Sequence, residues 1–162
     1  MRIGVISDTH ISDSSQELPK KVLDEFKQVD MIIHAGDFVD ISVLDQLKLV
    51  CKNVIAVWGN MDPDEIKKSL PEKTVLKIGN QRIGVIHGFG APGKLIDLLD
   101  SLFKCDNVNI IIFGHAHYSV NQTKNGILFF NPGSATDKAF SKYNSFGIIE
   151  INDKIEAKII RI

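Results

Sequence analysis

Seven side chains of metal-ligating type each sit just past a short apolar run in this chain. They are Asp8 and His10 in Asp8-Thr9-His10, Asp37 after Gly36, Asn60 after Gly59, His87 before Gly88, and His115 and His117 in Gly114-His115-Ala116-His117. In an extended segment residues i and i+2 project to the same side, so Asp8 and His10 can reach one ion. His115 and His117 share that spacing and form the most specific single element. Each fragment alone reads as a turn or a hydrogen-bonded structural histidine. As a set, neutral imidazoles beside carboxylates would be poorly solvated without a cation. A mixed nitrogen and oxygen set suits Mn, Fe, Zn, Ni or Co better than an all-oxygen Mg or Ca cage. It holds too little thiolate for a structural zinc site. The remaining histidine, His34, lies inside an apolar run and is read as a core residue.

The runs that carry these groups are residues 2–7, 31–35, 53–58, 82–86 and 109–113. Short β-branched runs bounded by Gly or polar residues predict buried strands. Ligands bind beyond the carboxyl ends of parallel strands, so the seven groups are expected at one edge of the fold. Between the runs, Leu18, Val22, Phe26 and Val29 predict an amphipathic helix over about residues 17–28. A second helix is expected from Asp40 as N-cap, with Ile41, Leu44 and Leu47 inward. A short one is expected over Pro63–Ser69, and a fourth through Leu95, Ile96, Leu99 and Leu102. Val75–Ile78 and Arg82–Ile86 predict a hairpin. Past Phe113 the pattern turns to strands at 118–123, 127–130, 145–151 and 154–160. The fold class is therefore α/β, with two sheets face to face and helices outside.

The chain has 162 residues, which suits one domain over 1–162 with a real core. Its net charge of -1 provides no broad basic surface, so nucleic acid and anionic membranes are not expected partners. No apolar stretch approaches the roughly 18 residues needed to cross a bilayer, and no signal-peptide pattern opens the sequence. Cys51 and Cys105 are expected as reduced, partly buried thiols, which points to the cytoplasm. The modest size and the aromatics expected at the surface suit a homodimer or higher oligomer.

In this order, DTH, GDF, GNMD, HG and GHAH resemble the motifs of the calcineurin-like metallophosphoesterase superfamily. The short length and Asn131-Pro132-Gly133-Ser134 are similar to its small phosphodiesterase branch, related to Vps29. The resemblance covers nearly the whole chain. It implies an αββα four-layer sandwich of two mixed sheets and a dinuclear centre. Asp8, His10 and His117 would hold one metal, Asn60, His87 and His115 the other, and Asp37 would bridge them through its two carboxylate oxygens. Manganese is the first expectation for the two divalent ions, with Ni, Zn, Fe, Co or Mg as substitutes. Two cations about 3.5–4 Å apart lower the pKa of a bridging water, and the hydroxide would attack a small phosphodiester directly. Asp37, Asn60 and His87 are the implied catalytic residues. The same fold also serves as a catalytically silent, Vps29-like scaffold, which is the alternative reading.

Several further features depart from that pattern, compete with it or surround the site. Many superfamily members place a histidine after the third-motif Asn to protonate the leaving group; here Met61 follows Asn60, which favours diesters with good leaving groups. Asp62 is nearby, read first as a helix N-cap before Pro63 and second as an acid. Gly88–Lys94 matches GxGxxG and GxxxxGK after a strand, but Leu95 stands where a phosphate-binding loop needs Ser or Thr. A rim of the active site is the milder reading of that loop. Asn131–Ser134 is expected as a tight turn, structural or contacting substrate. Lys138 and Lys142 are the basic residues of the next segment. Phe89, Phe140 and Tyr143 could stack on an aromatic group, although burial or a subunit contact is the commoner role.

Overall fold

The computed structural model describes residues 1–137 and 141–162. Ten strands and four α-helices follow one another as β1 (Arg2–Ile6), α1 (Lys20–Phe26), β2 (Met31–His34), α2 (Ser42–Val50), β3 (Val54–Ala56), α3 (Asp64–Ser69), β4 (Lys73–Ile78), β5 (Gln81–Ile86), α4 (Leu95–Leu102), β6 (Ile110–Ile112), β7 (Ser119–Lys124), β8 (Ile127–Pro132), β9 (Ser145–Ile151) and β10 (Ile155–Arg161). They build two five-stranded sheets, ordered β10-β9-β1-β2-β3 and β4-β5-β6-β8-β7. β1, β2 and β3 run parallel, as do β5, β6 and β8, while β9, β10, β4 and β7 pair antiparallel.

Strand alternation explains the layers. Ile3 and Val5 of β1, Ile33 of β2, Ile83 and Val85 of β5 and Ile110 and Ile112 of β6 meet between the sheets. The intervening residues face outward: Ile6 and Ile32 pack on Val22 and Phe26 of α1 and Leu44 and Leu47 of α2. On the other sheet Ile111 and Phe129 pack on Leu95 and Leu99 of α4. Both faces of the parallel strands are covered, which is why their sequences are continuous apolar runs rather than alternating ones. The result is the expected αββα sandwich.

Local departures have simple causes. Ile41 is 48% exposed rather than inward. The Asp40 carboxylate accepts the Ser42 N–H at 2.8 Å, so the helix opens at Ser42 and Val43 takes the core position. Cys105 is exposed, whereas Cys51 is partly buried, and both are free thiols. The β4–β5 hairpin turns on Gly79 and Asn80, with Gly79 at φ +57, a conformation that suits glycine. Among the described residues no helix is long and apolar enough to cross a membrane.

Candidate metal centre

The carboxyl ends of β1, β2, β3, β5 and β6 lead to one edge of the sandwich, and the seven groups follow them. Five of the seven adopt positive φ: Asp8 (52°), His10 (45°), Asp37 (59°), His115 (67°) and His117 (58°). Non-glycine residues avoid this region, and its concentration here is backbone strain held by the surrounding fold. The backbone gives way so that side chains from different strands can converge. Gly59 and Gly114 clear the space: a Cβ on Gly59 would run into Asp37 Oδ1, and one on Gly114 into Ser7 Oγ and Asp8 Oδ2.

The convergence is tight. One ligand atom each from Asp8, His10 and His117 lies within 4.8 Å of the others, and the same holds for Asp8, Asp37 and His87. Asp8 Oδ1 stands 3.5 Å from His117 Nε2, 3.8 Å from His87 Nε2 and 3.9 Å from His10 Nε2. Asp37 Oδ2 stands 3.2 Å from His87 Nε2 and 3.7 Å from His10 Nε2. Asp37 Oδ1 points away and accepts the Met61 N–H at 2.8 Å. Asp37 Oδ2 is the oxygen nearest these two imidazoles.

Hydrogen positions follow from the partners. His87 Nδ1 lies 2.7 Å from Ala35 O, a pure acceptor, so Nδ1 carries the proton. In a neutral ring Nε2 is then a bare lone pair; it is buried, makes no hydrogen bond, and faces the Asp37 carboxylate. His117 donates from Nδ1 to Asp137 Oδ2 at 2.5 Å, which turns its Nε2 lone pair toward His10 Nε2 at 3.2 Å. His115 donates from Nε2 to Gly90 O at 2.9 Å, and its Nδ1 lies 3.0 Å from Asn60 Oδ1. In neutral rings, acceptor atoms thus face one another at His87–Asp37 and His115–Asn60, an arrangement that divalent cations satisfy. His115 lies outside the two tight groups. Its backbone N–H ties it to Asp8 at 3.1 Å, and it lines one cavity with His10, Asp37, Asn60, Met61, His117 and Asp137.

The titration behaviour has the same origin. Burial raises the Asp8 pKa, against the pull of His87 and the Ser7 hydroxyl. Burial opposes charge on His87 as well, but Asp37 and Asp8 outweigh it and raise its pKa. Burial also works against the Asp37 anion, yet His87 and the Met61 N–H hold its pKa below the usual value. The two carboxylates draw positive charge to this point. His34 is different. Burial, then His87, pushes its pKa well down, and it stays neutral between Thr9 Oγ1 and the Gly36 N–H, stacked on Phe38.

Two supporting residues were not legible as such. Asp62 neither caps α3 nor faces the cavity. It is buried, and its carboxylate accepts four backbone N–H groups, those of Asp37, Phe38, Val39 and Gly59, at 2.7–3.0 Å. Asp137, in a polar stretch with no motif, backs His117. Asn131–Ser134 is not the expected tight turn, since Asn131 and Pro132 end β8, but it is a supporting segment: Asn131 and Ser134 are fully buried, Asn131 Nδ2 donates to Gly114 O, and Ser134 Oγ donates to Asp8 O at 2.6 Å. Of the aromatics, Tyr143 is exposed with the Arg161 guanidinium 4.2 Å from its ring centroid, and Phe89 is exposed at the rim. Lys138 and Phe140 lie outside the described residues. The Gly88–Lys94 loop serves the rim, since Gly90 holds His115 and Gly88 and Phe89 line a cavity.

Comparison with known proteins agrees with this geometry. A probable metallophosphoesterase of Methanocaldococcus jannaschii is 45% identical over 163 residues, covering 100% of this chain and 82% of that protein. An archaeal phosphodiesterase superposes with a TM-score of 0.80 at 25% identity, covering 100% of both chains. The zinc complex of Vps29 from Entamoeba histolytica superposes with a TM-score of 0.78 at 26% identity over 99% of each chain. The model of the calcineurin-like phosphoesterase superfamily domain matches residues 1–154. With its ordered motifs, its two five-stranded sheets and its convergent donors, the chain belongs to the calcineurin-like phosphoesterase superfamily.

Proposed function

We propose that the chain is a phosphodiesterase that works with two divalent metal ions, manganese first among them. The observation that carries this reading is the buried Nε2 of His87, which makes no hydrogen bond and stands 3.2 Å from Asp37 Oδ2. A positive charge, whether a cation or a proton, makes that contact favourable. Asp8, His10 and His117 would hold one ion, and Asn60, His87 and His115 the other, with Asp37 Oδ2 between. Such ions supply Lewis-acid stabilisation of phosphoryl charge and activate water near neutral pH.

The chain's own residues do the rest. Asp8 and Asp37 offset the positive charge of the centre and fix its place. Asn60 presents its amide N–H groups to a phosphate oxygen once its carbonyl is engaged. The cavity over these groups, about 350 Å³, admits a small diester rather than a folded protein segment. Met61 brings no proton donor to it, so esters whose leaving groups need no protonation are favoured. The two free thiols suit a reducing compartment, the cytoplasm.

Hydrolysis of bis-p-nitrophenyl phosphate with added Mn or Ni tests the reading. Activity should require metal and fall by orders of magnitude in Asp37→Ala and His87→Ala. Metal-independent hydrolysis, or variants as active as the parent, would overturn it. The likeness to Vps29 supports a second reading, a silent scaffold, which predicts metal binding with no turnover of any diester.

A further inference from the structure

Beside the metal-centre cavity lies a second hollow of about 240 Å³, lined by Trp58, Asn60, Glu72, Ile86, His87 and Phe89 among its walls. Asn60 and His87 are shared with the centre itself. The hollow therefore opens where the phosphorus of a bound diester would sit. Its other walls are chemically unlike the centre. Trp58 follows β3, where its N–H is held by Pro71 O at 3.1 Å. The ammonium of Lys67 lies 5.7 Å from the Trp58 ring centroid and donates to Asn60 O at 3.1 Å, which ties this wall to the centre. Ile86 ends β5 and is buried as a floor. Gly88, at φ +96, turns the chain so that Phe89 stands 49% exposed at the rim.

We propose that this hollow is the subsite for one ester arm of the substrate, and that the arm is a planar aromatic group bearing N–H donors, of the nucleobase type. This rests on the phosphodiesterase reading above. Three observations carry it. A diester has two organic arms, and this hollow adjoins the centre through Asn60 and His87. The walls pair an indole with a phenyl ring and an aliphatic floor, which suits stacking of a flat ring. Apart from His87, which belongs to the centre, the only acidic or basic side chain among the lining residues is Glu72, which has no ion-pair partner among the described residues. It repels a second phosphate and accepts hydrogen bonds from an amine. At about 240 Å³ the hollow is below the roughly 300–1,000 Å³ of drug-sized sites, so it takes a ring system and not a whole polyphosphate.

Trp58 is the single tryptophan of the chain, so its fluorescence reports this hollow alone. Adenosine titrated into the protein in chelator should quench that fluorescence saturably, whereas ribose should not. Phe89→Ala should weaken adenosine binding about tenfold. Glu72→Gln should weaken adenosine binding more than that of N6,N6-dimethyladenosine, which lacks the amine protons. Adenosine should also inhibit bis-p-nitrophenyl phosphate hydrolysis competitively over the same concentration range, and Phe89→Ala should raise KM for that diester more than it lowers kcat. Hydrolysis with no saturable quenching, or with adenosine affinity unchanged by Phe89→Ala, overturns the subsite and leaves the phosphodiesterase reading standing. Quenching with no hydrolysis of any diester overturns the phosphodiesterase reading, and the ester-arm assignment with it.

Discussion

Asp62 holds Asp37 in place through the backbone. Its Oδ2 accepts the Asp37 N–H at 3.0 Å and the Gly59 N–H at 2.7 Å, while its Oδ1 accepts the Phe38 and Val39 N–H groups at 2.7 and 2.8 Å. The loop it grips is strained, with Asp37 at φ 59° and the β-branched Val39 at φ 72°. Each such residue stores about 1–3 kcal/mol, and a fully buried carboxylate with four donors is what balances it. In Asp62→Asn one oxygen becomes an amide NH2 group, a donor that faces N–H donors. The expected loss is about 2–4 kcal/mol of unfolding free energy in urea, accompanied by weaker manganese binding. Unchanged stability would show that the loop keeps its shape without this acceptor.

Asp137 acts on the other side of the centre. A carboxylate behind a metal-binding imidazole fixes the tautomer and raises the basicity of the ligand. The 2.5 Å contact to His117 Nδ1 has that geometry. Asp137→Asn keeps an acceptor but removes the charge, and Asp137→Ala removes both. Manganese affinity measured by calorimetry should fall by about ten- to a hundredfold in the alanine variant, and by less in the asparagine variant. Circular dichroism of the metal-free proteins should match, which separates loss of this positioning contact from loss of the fold. Equal affinities in all three proteins would remove this role.

The sandwich and the seven converging groups were legible because each signal is local. A β-branched run bounded by glycine makes a strand wherever it lies, and strand ends gather at one edge in a parallel arrangement. His34 was legible for the same reason, as a histidine within such a run. Asp62 was not legible, because Asp before Pro at a helix start fits an N-cap as well as an acceptor for a distant loop. Asp137 lies in a polar stretch, where sequence spacing says nothing about a residue 20 positions away in the chain. The strain at Asp8, His10, Asp37, His115 and His117 was not legible either, since Asp and His visit positive φ more than most residues yet mostly do not adopt it. Trp58 and Phe89 line one hollow although they follow different strands in different sheets, which spacing in the sequence does not announce.

Protons compete with cations for the same atoms. A metal needs Asp8 as the carboxylate and His87 Nε2 without a proton. Burial raises the Asp8 pKa above its ordinary 3.8. Although burial opposes it, the carboxylates Asp37 and Asp8 raise the His87 pKa above its ordinary 6.5. Both groups therefore keep protons to higher pH than usual in the metal-free protein. Manganese affinity should fall as pH drops through the raised His87 pKa, and fall again as Asp8 takes up its proton. Calorimetry between about pH 8 and about pH 6 should show the first loss, approaching tenfold per pH unit for each proton displaced, with proton release on binding. A flat affinity over that span would mean that His87 is not displaced from a proton by the metal.

Met61 sets the last expectation, because its backbone and its side chain have separate duties. The N–H anchors Asp37 Oδ1 at 2.8 Å, which any residue but proline can do. The side chain is 59% exposed and lines the cavity with Asp37 and Asn60. A positioned general acid contributes about 10²–10⁴ in rate, and most to leaving groups that depart poorly as anions. Met61→His puts an imidazole at this wall without disturbing the anchor. The rate on diphenyl phosphate, whose phenol is the more basic leaving group, should rise about tenfold or more. The rate on bis-p-nitrophenyl phosphate should stay within about twofold, since p-nitrophenolate leaves without a proton. The diphenyl phosphate rate should also gain a falling limb at high pH as the new imidazole loses its proton. A parallel rise on both substrates would point to substrate binding instead, and no rise on either would show that departure of the leaving group does not limit this centre.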